Sequence, residues 1–207
     1  MWKRSTTDMI RFCFVLLVIL YMLPGTLAAQ DSVSFKRHHK WYIPDSFVLQ
    51  YAGSIGFLST GGGYNIFHKK ASVDILFGYL PRAIGGNDLQ TITLKFTASP
   101  WKIRAGKVTA VYPFTIGTYF SYTMGGRYSS DLPSWYPDGY YWWSEAVRAN
   151  LFIGGKVRHK IRQSVWEGYY EIGTNELKLV SYVQNSRYLT VWDILHAGAG
   201  VRFYLNP

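Results

Sequence analysis

The residues able to do chemistry fall into a few sets. Asp74, Lys95, Arg148, Glu167, Glu171 and Arg202 alternate with apolar neighbours along their segments. Carboxylates and cations spaced in this way are suited to pairing across a shared interior, as a lumen ion-pair network. Removing one partner would leave an uncompensated charge. Handling of protons or substrate is the alternative role for the same residues. Among the histidines, His196 is the weak catalytic candidate. An imidazole base needs a hydroxyl beside it and a third group to orient it. Asp193, three residues back, falls on the opposite face of a regular strand and is a poor orienter. His38 and His39 adjoin each other in the basic run Lys36-Arg37-His38-His39-Lys40, with no acidic residue or Cys nearby. That is a poor donor set for a metal; contact with lipid phosphate or peptidoglycan is one reading and a linker the other. His68 and His159 fall in turns and need no role.

The most individual segment runs from Asp131 to Trp143. Trp135, Tyr136, Tyr140, Tyr141, Trp142 and Trp143 surround the turn former Pro137-Asp138-Gly139. Such a set makes an interfacial belt on a rigid loop. It could equally stack on sugar or lipid, or cap a lumen, and Arg82 to Asp88 with Gly85-Gly86 falls on the same side. Gly61-Gly62-Gly63 lacks the Lys and the following helix of a phosphate loop, so it is read as a bend or a close approach of backbones. There is no His-Glu-x-x-His and no paired Cys. No cofactor and no metal are expected.

The elements that must carry these residues have a period of two, the signature of strands with two unlike faces. Ile92, Leu94, Phe96 and Ala98 oppose Thr91, Thr93, Lys95 and Thr97. Val73, Ile75, Phe77 and Tyr79 oppose Asp74 and Gly78. Ala110, Tyr112, Phe114, Ile116, Phe120 and Tyr122 oppose Thr115, Gly117, Tyr119 and Ser121. Leu151 and Ile153 oppose Asn150 and Gly154; Trp166, Tyr170 and Ile172 oppose Glu167, Tyr169 and Glu171. Ala197, Ala199, Val201, Phe203 and Leu205 oppose His196, Gly198, Gly200, Arg202 and Tyr204. The strands are expected at 47–57, 60–67, 72–80, 89–99, 108–124, 142–155, 165–182 and 189–205. The outward phase switches from odd (Leu49, Tyr51, Ile55, Phe57) to even (Tyr64, Ile66), which places a tight turn between the first two. A single bulged strand over 47–67, preceded by one at 33–43, explains the switch equally well. Short links fall at 68–72, 100–107 and 155–163, and longer ones at 81–89, 125–141 and 184–188.

Composition agrees with that layout. The chain has 207 residues, 48% hydrophobic, 18% aromatic and only 16% charged, which excludes a disordered polypeptide and fits one domain. Lys3, Arg4 and Arg11 precede an apolar run from Phe12 to Leu23, then Pro24-Gly25 and Thr26-Leu27-Ala28-Ala29. This reads as a cleaved signal peptide over 1–29. Twelve residues make only about 18 Å of helix against roughly 30 Å of hydrocarbon. The only Cys, Cys13, lies inside that run. Cleavage would lower the formal net charge from +10 to +8. The basic residues are scattered, so the expected partner is anionic lipid and not nucleic acid.

Apolar faces turned outward, charged faces turned inward and aromatic strand ends resemble the small bacterial outer-membrane β-barrels, over roughly residues 46–205. The resemblance implies an all-β, closed antiparallel up-and-down transmembrane barrel of eight strands with both ends in the periplasm. A periplasmic segment over 30–45 would precede a barrel over 46–207. Outer-membrane lipid or LPS and the barrel assembly machinery are the implied partners; the oligomeric state is left open. The terminal aromatic of such barrels has no counterpart, since Phe203-Tyr204-Leu205 is followed by Asn206-Pro207. The lipid A deacylases of this class use a His-x-Ser pair; here the Ser position is Gly198. The expected role is therefore non-enzymatic, in envelope structure or surface interaction. The rivals are a lipid A-modifying enzyme built around His196 and a soluble barrel holding an apolar ligand. A small-solute channel is weaker, because eight strands leave little bore.

Overall fold

A computed structural model describes residues 42–67, 69–124 and 146–205. The strands are β1 (Ser46–Ala52), β2 (Leu58–Ile66), β3 (Ala71–Leu80), β4 (Leu89–Ala98), β5 (Ile103–Ala105), β6 (Thr109–Met124), β7 (Val147–Ile161), β8 (Ser164–Asn175) and β9 (His196–Tyr204). All pairings are antiparallel, in the order β4-β3-β2-β1-β9-β8-β7-β6, and β4 closes back on β6. The protein is thus a closed eight-stranded antiparallel barrel. The short β5 adds to β6 beyond the end of β4. Closure at Ser46–Ala52 against β9 settles the first strand: the barrel needs none at 33–43. Residues 1–41, with the expected signal peptide, His38 and His39, and the whole aromatic segment Trp135 to Trp143 lie outside the described residues.

Alternation along each strand sorts the side chains. Thr91, Thr93 and Lys95 are buried, while Ile92, Leu94 and Phe96 stand outside. Val48, Leu76, Tyr119 and Phe152 fill part of the interior together with buried Gln50, Asp74, Glu167, Glu171 and Arg202. The outer surface is apolar through its middle (Ile75, Leu94, Phe120, Leu151, Ile153, Val201) and carries aromatic pairs toward both ends. Trp101 packs on Phe114 and Trp166 on Phe203 toward one end, and Tyr51 on Phe57 toward the other.

Several expectations are corrected. Residues 165–182 are not one strand: β8 stops at Asn175, whose Oδ1 accepts the Lys178 N–H at 2.9 Å and starts helix α2 (Glu176–Gln184). Glu176 in its first turn suits the helix dipole. Likewise 189–205 begins with a helical turn, α3 (Val191–Ile194), where the Asp193 carboxylate accepts from Thr190 N at 2.7 Å and Thr190 Oγ1 at 2.8 Å. A third helical turn, α1 (Arg82–Gly85), sits in the β3–β4 link. The strand placed at 142–155 is Val147–Ile161, so Lys156 and Arg158 belong to β7 and not to a turn. A bulge between Tyr112 and Thr115 reverses the phase of β6, and Tyr112 is buried where regular alternation put it outside. Ile55 also turns inward: it lies in the β1–β2 link and is fully buried.

Candidate functional site

The barrel interior holds the ionisable residues in two layers. In the first, Arg202 donates through Nη2 to Asp74 Oδ2 at 2.7 Å, and its Nε lies 3.4 Å from Glu167 Oε1. Ser46 and Ser72 hydroxyls accept from the same guanidinium. Arg158 donates to Glu167 Oε2 through Nε at 2.9 Å and Nη2 at 2.7 Å, and also to the Tyr204 hydroxyl. Lys156 Nζ lies 3.6 Å from Glu167 Oε1 and over the Tyr112 ring at 4.9 Å. Glu167 is therefore met by three cations on β7 and β9. The pairing register explains the meeting: Glu167 stands opposite Arg158 on one side and Arg202 on the other.

In the second layer Lys95 is paired with Glu171 and donates to Gln50 Oε1 at 2.8 Å. Gln50 in turn donates to Glu171, and the Tyr169 hydroxyl donates to Gln50 Oε1 at 3.0 Å. Lys95 Nζ also sits 4.8 Å from the Phe152 ring centre and 5.0 Å from that of Tyr169. Such enclosure compensates the cost of burying an ammonium. Space is scarce: the cavity among Lys95, Lys156, Glu167, Glu171 and Arg202 is about 20 Å³, room for about one water.

Glycine makes part of this possible. Gly63 is the third residue of the run that resembled a phosphate loop. A methyl group there would come within 2.5 Å of Arg202 Nη1 and Asp74 Oδ1. Its missing side chain is the space the ion pair occupies.

His196 sits near the opposite end. Its Nε2 is 2.7 Å from the Tyr119 hydroxyl, which donates to the Gly53 carbonyl. With that proton committed, the hydroxyl can only accept, so Nε2 carries a hydrogen and Nδ1 is left bare. Nδ1 is buried and has no partner. The residue across the ladder is Gly173, and Asp193 is engaged with Thr190. Among the described residues the hydroxyl bonded to His196 is that of Tyr119, and no serine hydroxyl bonds to it.

Of the residues singled out in the sequence, Asp74, Glu167 and Arg202 share one layer and Lys95 and Glu171 the other. Arg148 stands apart, with its Nη1 3.7 Å from Glu176 Oε1 where β7 meets α2. The missed members are Gln50, Lys156, Arg158 and Tyr204. Lys156 and Arg158 continue the inward phase of Asn150 and Gly154; extending that alternation would have found both. Gln50 had a signal only in its phase opposite Leu49 and Tyr51. Among the described residues no group of three or more potential metal ligands gathers.

A closed barrel with a charged, nearly filled interior is the class that these observations define. No protein-family model, curated protein or solved structure matches the chain.

Proposed function

We propose that the protein is a bacterial outer-membrane β-barrel with a non-enzymatic role in envelope structure or surface interaction. The observation that carries this reading is the division of faces. Leu94, Ile75, Phe77, Ile153 and Leu151 stand outside at 44%, 53%, 47%, 53% and 59% exposure, while Asp74, Lys95 and Glu167 inside are at 1%, 2% and 1%. In water that arrangement exposes a continuous apolar belt and buries the charges, each at a cost. In hydrocarbon the same belt is solvated by lipid, and closure leaves no barrel edge unpaired. The aromatic ends suit the two interfaces. That no described helix is long and apolar enough to cross a membrane says nothing of a barrel.

The filled interior supports an anchoring role over conduction. A soluble ligand-binding barrel would carry an apolar interior and outward charges, the reverse of what is found. His196, tied to a tyrosine, gives no support to a lipid A-modifying enzyme. The test is membrane fractionation of the expressed protein, then electrophoresis with and without boiling. A detergent-requiring outer-membrane band whose mobility changes on boiling is expected. A protein recovered in the soluble fraction without detergent, with no such change, would overturn the reading.

A further inference from the structure

β6 and β7 outrun the barrel at the end where β1 begins and β9 finishes. Past Ala98, β5 replaces β4 as the neighbour of β6, while β7 stays paired with β8 as far as Ile161 and Ser164, so β5, β6, β7 and β8 form a tongue whose free edge is β5. The register sets Arg104 opposite Ala110, and Ala110 opposite Arg158, so two guanidinium side chains flank one small residue on a common face. Lys102 lies one step nearer the barrel and Lys160 one step farther out. With Lys107 they line an open cleft of about 420 Å³ that contains no acidic residue.

Arg158 spends its charge on Glu167. Lys102, Arg104, Lys107 and Lys160 form no ion pair among the described residues. Burial, and then the positive charges of Arg104, Arg158 and Lys69, hold the Lys102 ammonium below its ordinary pKa. Folding has gathered like charges without neutralising them, and an anion is the missing component. Val108, 49% exposed, lines the cleft, while Trp101, Ile103 and Ile161, out of phase with its cations, are 51%, 57% and 51% exposed on the other face of the tongue. Cations on one face of a free edge strand and exposed apolar and indole groups on the other match the boundary between lipid headgroup and acyl chain.

We infer that this cleft binds the phosphate of an anionic glycerophospholipid, whose acyl chains pass the free edge of β5 to lie against Trp101 and Ile103 on its other face. The inference rests on the membrane reading only for the source of the phosphate.

The test is native mass spectrometry of the full chain released from a neutral detergent, with phosphatidylglycerol, phosphatidylcholine or glycerol 3-phosphate added. Phosphatidylglycerol should be retained at least about tenfold better than phosphatidylcholine, and Lys102→Gln/Arg104→Gln/Lys160→Gln should lose that advantage by about tenfold or more. Arg82→Gln/Arg187→Gln, at the other end, should leave it unchanged. Equal retention of the two lipids, equal loss in both variants, or displacement by glycerol 3-phosphate at matched concentration would overturn the inference. If the triple variant does not fold, a salt titration of the unsubstituted chain decides: retention should fall steeply with ionic strength, and retention indifferent to salt overturns it. A chain soluble without detergent fails the membrane reading but leaves this measurement intact, run in buffer with dihexanoyl phosphatidylglycerol.

Discussion

The two ends of the barrel handle polarity in opposite ways. At the end of the tight turns the interior is ionic: Arg202, Arg158 and Lys156 share the carboxylates of Asp74 and Glu167 inside, while Lys102, Arg104 and Lys160 form no ion pair among the described residues. At the other end the interior is closed by neutral groups. Ile55 is inserted from the β1–β2 link, its carbonyl accepts from Ser59 and Thr91, and Tyr119 bridges Gly53 and His196. There the charges sit on the rim in single contacts: Arg148 faces Glu176, and the Asp193 carboxylate accepts from the N–H and hydroxyl of Thr190. A long-range ionic network ties distant strands together but fails when one member is lost. Local hydrogen bonds stabilise single links and fail singly.

The sharpest way to break this contrast is Arg202→Met. It leaves Asp74 without its cation and strips Glu167 of one of three, and should destabilise the barrel by about 3–5 kcal/mol, read as a lowered urea midpoint of the folded protein. Adding Asp74→Asn should return part of that loss, because the stranded charge is removed. An unchanged midpoint for the single variant would mean that the network contributes nothing to stability. Next comes the second layer. Lys95→Met alone should cost about 3 kcal/mol, and Lys95→Met/Glu171→Gln much less, since the pair is lost together. A double variant as unstable as the sum of its singles would show that the two residues act independently.

How much of this was legible can be judged at particular residues. Asp74, Glu167, Glu171 and Arg202 could be set inside because strict alternation flanks each one, and a period-two pattern carries orientation directly. Lys156 and Arg158 read as turn residues in the sequence because a basic run looks like a solvated loop. Only the register, which sets Arg158 opposite Glu167, shows the run to be half inside. Tyr112 was lost to a bulge, an insertion that shifts phase without changing composition. Helices α2 and α3 were legible in principle: Asn175-Glu176 is a capping start, and Thr190-x-x-Asp193 closes on itself. Alternating hydrophobic residues on either side hid both signals. The meeting of Gln50 with Lys95 and Glu171 needs three strands far apart in sequence, and no local pattern encodes it.

A smaller effect sharpens the role of the open space at Gly63. Gly63→Ala should cost about 1–3 kcal/mol by displacing Arg202 from Asp74. In the Arg202→Met background the same substitution should cost clearly less, because the obstructing guanidinium is gone. Equal costs in both backgrounds would place the strain in the strand itself. At the neutral end, Tyr119→Phe removes the hydroxyl shared by Gly53 and His196 and should cost about 1–3 kcal/mol, with no dependence on salt. A salt-dependent loss would mean that this end is held by charge after all.

The smallest effect lies on the rim. The Tyr79 hydroxyl at 2.7 Å and the Arg82 N–H at 3.0 Å hold the Asp88 carboxyl below its ordinary pKa, and the N–H and hydroxyl of Thr190 do the same for Asp193. A carboxylate depressed on folding stabilises fully above its unfolded value near pH 4 and loses that contribution as pH falls through the lower folded value. Both groups are fully exposed, so the consequence is local: the β3–β4 link and the start of α3 should open below about pH 4 while the barrel holds. Hydrogen exchange at the Arg82 and Thr190 amides, corrected for the intrinsic pH dependence, should show protection falling in that range. Asp88→Asn and Asp193→Asn should each abolish the pH dependence at their own site alone. Simultaneous loss of protection across the barrel strands would mean that the rim and the interior network unfold as one unit, and the division between the two ends would not hold.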